Sequence, residues 1–258
     1  MTPDWSPLDT ELDRWRTLGL TLPLWWRDDD AVTRTPALER LTDLARTLDM
    51  PVHLAVIPAR ADAALAEFVA RHPLLIPVVH GWAHASHAPA CEKKAEFGAH
   101  RPLPAMQDEA VQGLARLSGL FRGRVRPMFV PPWNRIAEEV ASGLPAAGYA
   151  MLSTFTPRKA PDAAPGLLQI NTHLDPIAWK AGRGLVPPEA LIAQLAADLG
   201  ARRAGRADGD EPYGILTHHL AHDDAIWDFT GALFRRLLRG PARRWTAPAS
   251  RNERDTTT

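Results

Sequence analysis

Residues 77–87 read PVVHGWAHASH, and what stands on either side of the first histidine decides the fold. The apolar run 74–79 has the length of a buried strand, and it stops at His80. His84 comes four residues on, and His87 three after that. If the backbone turns helical just past the strand, residues four apart share a face and two imidazoles reach one ion. Such a pair supplies two ligands of a divalent-metal site and needs a carboxylate or a third imidazole from elsewhere. Asp28, Asp29 and Asp30 stand at the end of an earlier apolar stretch, and His218-His219-x-x-His222 comes late in the chain. A lone histidine pair more often decorates a surface turn. Three histidines within eight residues, flanked by those two further clusters, point to a metal site.

Outward from this stretch, strand and helix signals alternate. Strands are expected at 22–26, 52–57, 74–79, 125–130, 150–155, 167–171 and 213–217. Helices are expected at 8–18, at 36–48 behind the Thr35-Pro36 start signal, and at 61–70, 104–121, 136–147, 188–199 and 225–238. The alternation predicts an α/β fold, a distorted (β/α) barrel of about seven parallel strands in one domain over residues 1–239. Residues 240–258, basic and ending in TTT, read as a flexible tail. Each polar cluster falls at the C-terminal end of a strand, where barrel active sites lie. The stretch 88–104 has no period and is longer than an ordinary connection, so it is expected to close over substrate. Its polar candidates are Glu96, His100 and Arg101, with Phe97 as a stacking surface for a sugar ring.

Composition narrows the function. Hydrophobic residues at 45% and charged residues at 23% are those of an ordinary globular protein. Thirty basic and thirty acidic side chains cancel, so no global field points to nucleic acid or to an anionic membrane as partner. Cys91 is the single cysteine, which fits a reducing compartment. The opening MTPDWSPLDTELDRW lacks the basic head and apolar centre of a secretory signal, so a cytoplasmic location is expected. Nothing in the chain indicates its oligomeric state.

With these motifs in view the chain resembles the polysaccharide deacetylases of the NodB-homology type, carbohydrate esterase family four. The resemblance rests on Arg27-Asp28-Asp29-Asp30, His80-Gly81-Trp82-Ala83-His84, Val130-Pro131-Pro132-Trp133 and Leu216-Thr217-His218, in the family's order. It implies a metal-dependent hydrolase that removes an N-acetyl group from an N-acetylated sugar or sugar-like precursor, a small molecule or an oligosaccharide. Matching the first motifs makes Asp28 the counterpart of the catalytic base and Asp29 that of the metal ligand. The triple aspartate equally permits an alignment one residue later, with Asp29 and Asp30 in those roles. Asp29, His80 and His84 would hold a divalent ion, zinc being the first candidate, which brings bound water toward a pKa of about 7. His218 would be the acid, with His219 and His222 as its neighbours, a second metal pair or a structural network. Pro132 and Trp133, and Asp175 and Trp179 of a fourth motif, would face the substrate.

Two departures stand out. The arginine of the third motif, which helps hold the catalytic aspartate, is Val130 here, leaving Arg27, Arg126 or Arg135 to substitute. The second aspartate of the fourth motif is Ala178. These changes keep two other readings open: an amidohydrolase acting on a non-carbohydrate, cyclic ureide-like amide, and a catalytically silent binding module.

Overall fold

The computed structural model describes residues 3–249. Its organising strand is β1 (Leu22–Ala31), which runs on through all three aspartates where a stop at Trp26 was expected. Along a strand, alternate side chains face opposite sides. Leu22, Leu24 and Trp26 point outward into the large core under the helices, where the Trp26 ring meets Phe234 at 4.5 Å. Trp25 points the other way, into a smaller cluster with Ala55, Val78, Met128, Val130 and Met151 that fills the inside of the curl.

Around β1 lie β2 (Val52–Val56), β3 (Leu75–His80), β4 (Met128–Val130), β5 (Met151–Leu152), β6 (Asp162–Ala164), β7 (Leu167–Gln169) and β8 (Tyr213–Thr217). The sheet order is β6-β7-β5-β4-β3-β2-β1-β8, parallel throughout except for the short β6–β7 pair. Past β7 the chain swings to β8 through a Leu174–Ile215 bridge, which joins the two ends of the curled sheet. The fold is an α/β distorted barrel, as expected. The strands on the β4–β5–β7 side are shorter than the apolar runs that encode them. Proline at 127, 131 and 157 removes the backbone donors a longer ladder would need.

The helices are α1 (Ser6–Thr17), α2 (Pro36–Leu48), α3 (Ala63–Ala70), α4 (Leu103–Leu120), α5 (Glu138–Gly143), α6 (Pro188–Arg203) and α7 (Asp224–Arg239). Three begin on side-chain caps: Thr35 accepts from Leu38 N at 3.1 Å, Asp62 from Leu65 N at 2.9 Å and Asp223 from Ile226 N at 2.8 Å. The amphipathic pattern at 136–147 yields only the short α5 followed by turns. No helix among the described residues is long and apolar enough to cross a membrane.

Residues 240–249 differ from the free tail expected of them, while 250–258 lie outside the described residues. Strand β9 (Ala242–Arg244) pairs in parallel with Leu22–Leu24, on the edge of β1 that β2 occupies further along. Trp245 N then donates to Leu24 O at 2.8 Å, and the Trp245 ring stands edge-on to Trp25 at 5.6 Å. Ala247 is buried and its N–H donates to His53 Nε2 at 2.9 Å. The segment packs into the small inner cluster, at the barrel end opposite the histidines.

That contact makes a pH prediction. With Nε2 accepting, His53 Nδ1 carries the proton and donates to the Trp26 carbonyl at 3.1 Å. Burial lowers the His53 pKa to about 4, aided by the Arg126 charge and opposed by the Trp26 carbonyl. From pH 6.5 down to about 4 the unfolded chain gains a proton that the folded chain refuses, so stability falls as pH falls through that window. The loss attributable to this one group approaches about 3 kcal/mol. Denaturant unfolding of wild type and His53→Phe at several pH values between 7 and 4 checks it. The variant is expected to lose that part of the pH slope, whatever its absolute stability.

Candidate metal centre and its surroundings

His80 ends β3, buried, with Nδ1 donating to the Val130 carbonyl at 2.9 Å. This fixes the ring and aims Nε2 into the barrel mouth. Past His80 the chain makes a tight turn, not the helical turn expected from the spacing. Gly81 has φ +55°, and a Cβ there would collide with Glu96 Oε2 and lie 2.5 Å from Pro132 Cδ, so only glycine fits. The Glu96 carboxylate gathers the turn by accepting from the backbone N–H of Trp82 at 3.1 Å, Ala83 at 2.7 Å and Ala85 at 3.3 Å. His84, at φ +57°, is thereby brought back over His80, with ring centroids 5.1 Å apart.

The carboxylate that meets the two imidazoles is Asp30. Its Oδ1 lies 3.2 Å from Nε2 of both His80 and His84, and the three ligand atoms fall within 4.8 Å of one another. Strand alternation alone would turn Asp30 to the outer side with Asp28. The pairing of β1 with β2 slips between Asp28 and Ala31, and Asp30 takes φ +78°, which swings its side chain into the mouth. Burial works against an ionised Asp30, but the hydrogen bond from His80 and the charges of His80, His218 and His84 outweigh it and hold its pKa far down. For His80 burial is likewise outweighed, by Asp29 and Asp30, and its pKa is raised. Burial and the neighbouring His80 lower that of His84. A proton on His80 Nε2 bridges to Asp30 here, and two imidazole nitrogens converging with one carboxylate oxygen form a donor set that fits a divalent ion in that proton's place.

Asp29, the ligand of the first alignment, is held elsewhere. It shares the inner face of β1 with Arg27, a fully buried guanidinium whose Nη2 donates to Asp29 Oδ2 at 2.9 Å. Arg27 Nε lies 2.9 Å from Asp29 Oδ1 but off the N–H direction, so this contact is ionic without being a second hydrogen bond. Arg27 is itself placed by Ser153 Oγ at 2.9 Å, the Thr154 carbonyl at 3.2 Å and Asn134 Oδ1 at 2.7 Å. Of the three arginines considered for the role left open by Val130, Arg27 is therefore the one beside an aspartate of the mouth. Arg135 donates to the Lys94 carbonyl instead.

Asp28, the base of the first alignment, is fully buried on the outer face of β1. Its carboxylate accepts from Thr217 Oγ1 at 2.6 Å, His219 N at 3.0 Å and His219 Nδ1 at 2.5 Å. Burial raises its pKa, but the charge and hydrogen bond of His219, with that of Thr217, reverse the sign and lower it.

His218 leaves the end of β8 for the mouth, with Nε2 3.9 Å from Asp29 Oδ2. Its ring stands edge-on to Trp179 at 4.7 Å. Trp179 is 43% exposed and pinned by its Nε1–H to Asp175 Oδ2 at 2.8 Å. Burial raises the Asp175 pKa, with His218 pulling the other way. The His218 N–H points to His222 Nε2 at 3.4 Å, and burial lowers the His222 pKa to about 4, in keeping with a neutral acceptor.

Trp133 packs on His84 with centroids 4.4 Å apart, in a short 3₁₀ turn where both it and Asn134 have positive φ (55° and 57°). For a bulky side chain this is a strained conformation, kept because it delivers one residue to His84 and the next to Arg27. Pro132 is buried beneath it, against Gly81. The loop candidates serve the scaffold. Glu96 is buried under the histidine turn, and Phe97 is fully buried and edge-on to Phe129 at 5.0 Å. Arg101 pairs with Glu109 of α4 at 2.6 and 2.7 Å. Asn134 and Ser153 went unread in the sequence, having no motif spacing to mark them.

No family model matches the sequence, and no curated protein does either. Solved structures do match. A family 4 carbohydrate esterase from Streptomyces lividans, in complex with acetate, superposes with a TM-score of 0.53 at 11% identity, over 88% of this chain and 94% of that one. A polysaccharide deacetylase, so described only provisionally, from Mycobacterium smegmatis gives 0.55 at 16% identity over 77% and 70%. A mutant of a CE4 family pseudoenzyme gives 0.55 at 12% identity over 87% and 65%. The barrel built around these histidines and aspartates is the fold of the carbohydrate esterase family 4, NodB-like deacetylases.

Proposed function

We propose that this chain is a metal-dependent hydrolase that removes the acetyl group from an N-acetylated sugar or sugar-like substrate. The observation that carries this reading is the Asp30, His80 and His84 cluster, with Asp29 on one side and His218 close to Asp29. Asp30, His80 and His84 would hold the divalent ion, which when bound polarises the acetyl carbonyl and lowers the pKa of water. Asp29 receives the proton of the attacking water at its carboxylate, whose orientation is kept by Arg27. His218 Nε2 gives a proton to the departing amine, without which an amide does not cleave near neutral pH. Trp133 and Trp179 wall the mouth on either side of these groups. The pseudoenzyme fold relative and Val130 favour a silent barrel instead. The Arg27–Asp29 pair weighs against it, because it supplies from within β1 the cation that Val130 does not.

Metal content separates the two aspartates. Purified protein is expected to bind one divalent ion per chain, and Asp30→Ala or His84→Ala to lose it. Asp29→Asn is expected to keep the ion while turnover of N-acetylated oligosaccharides falls by at least about 10³-fold. Metal retention in Asp30→Ala with loss in Asp29→Asn reverses the assignment.

Glu96 acts on the same site through backbone. Because its carboxylate collects three N–H groups of the His80–His84 turn, Glu96→Ala is expected to weaken metal binding by about 10–100-fold. Competition with a chromophoric chelator measures this. Unchanged affinity would make Glu96 a mere filler of the loop.

His218 is tested by leaving group. His218→Ala should slow amides by about 10²-fold or more and activated aryl acetates far less, because an aryl oxide departs unprotonated. Equal losses on the two substrates take the acid role from His218.

A further inference from the structure

We infer that Asp28 and His219 form a positioning clamp that sets His218, so that the aspartate on the outer face of β1 acts from behind the sheet. The inference rests on the reading of His218 as the proton donor. Asp28 comes after Leu22, Leu24 and Trp26 on the outer face of β1, a row that is otherwise apolar. A leucine would pack there at no electrostatic cost, whereas a buried carboxylate is tolerated only when fully paired. Its partners are Thr217 and His219, the residues immediately before and after His218. Trp26 extends the tie by donating Nε1–H to Thr217 Oγ1 at 2.8 Å.

A residue whose two chain neighbours are bound to one carboxylate has little freedom in φ or ψ. His218 sits at φ −140° and ψ 89°, between the end of β8 and the short 3₁₀ turn His219–Ala221. Its own N–H is drawn toward His222. With the Thr217 hydroxyl and the His219 N–H on one carboxylate and its own N–H toward His222, His218 is left to project its imidazole into the mouth, between Asp29 and Trp179. The strand pleat thus gives the two carboxylates complementary duties: Asp29 faces the mouth from the front of β1, and Asp28 aims the proton donor from its back. Displacement of a reacting group by about 1 Å can cost about 10²-fold in rate.

Three variants test the clamp. Asp28→Ala is expected to keep its metal and its KM. Its kcat on an N-acetyl amide should fall by about 100-fold, and on an activated aryl acetate by less than about tenfold. Asp28→Asn is expected to stay within about tenfold of wild type on both substrates. Its amide oxygen accepts from Thr217 and the His219 N–H, while its NH₂ meets the other His219 tautomer. An Asp28→Asn loss as large as that of Asp29→Asn overturns the proposal by making Asp28 the base. Equal losses on amide and ester in Asp28→Ala overturn it by reducing Asp28 to general support, and full amide turnover leaves Asp28 no role. If Asp28→Ala does not fold, Thr217→Val removes the Thr217 hydrogen bonds to Asp28 and Trp26 but keeps those of His219, and the presence or absence of the same amide-selective loss decides. If the wild-type protein turns over no acetyl substrate, the proposed function fails, and the clamp is judged on crystal structures of wild type and the folded variant. A His218 ring still in place beside Asp29 in the variant overturns it, and a ring displaced from Asp29 supports it.

Discussion

Three carboxylates in a row cannot share one environment, and the architecture of the mouth depends on how β1 separates them. Asp28 is sent to the back of the strand and held by hydrogen bonds from Thr217 and His219. Asp29 stays on the inner face and is neutralised by Arg27 two residues earlier. Asp30 is turned by the register slip into the company of His80 and His84. Each carboxylate has its own set of polar partners, which is the condition for keeping it away from water. Without the slip, Asp30 would share the outer face with Asp28 and the two imidazoles would lack their carboxylate.

The general fold was legible because barrel strands and helices carry strong, different periods. Thr35-Pro36 and the apolar runs at 52–57, 74–79 and 213–217 all became the elements they suggested. The histidine pair was legible too, although for a reason other than a helical turn. Its spacing works because Glu96 folds the turn from twelve residues beyond His84, and a long-range hydrogen bond to backbone leaves no local pattern. The aspartate register was open in the sequence because motif matching cannot see a bulge. A positive φ at Asp30 is a local backbone event that aspartate tolerates without a neighbouring glycine to announce it. The C-terminal strand was missed since Ala242–Arg244 is a basic, weakly apolar stretch whose stability comes from pairing with β1.

Arg27 shows how the lost third-motif arginine is made up for. An arginine arriving from the β4 end would approach the aspartate across the mouth. Arg27 reaches it along the strand, since residues two apart in a strand share a face. The consequence is that Val130 packs in the inner apolar cluster, and its carbonyl instead orients His80. The guanidinium is then boxed by Ser153, Thr154 and Asn134, a set drawn from two separate loops. Because its donors form a rigid planar fork, an arginine so enclosed holds the direction of Asp29.

The mouth also shows where its rigidity is stored. Trp133 and Asn134 hold positive φ, a conformation that costs free energy for residues other than glycine. It persists because the two side chains are committed in different directions, Trp133 onto His84 and Asn134 onto Arg27. One strained turn therefore couples the His84 imidazole to the Arg27 guanidinium that pairs with Asp29. Releasing the strain would loosen both contacts at once. That coupling explains why a bulky tryptophan occupies a backbone position glycine would fill without strain: glycine would relax the turn but leave His84 with nothing to pack against.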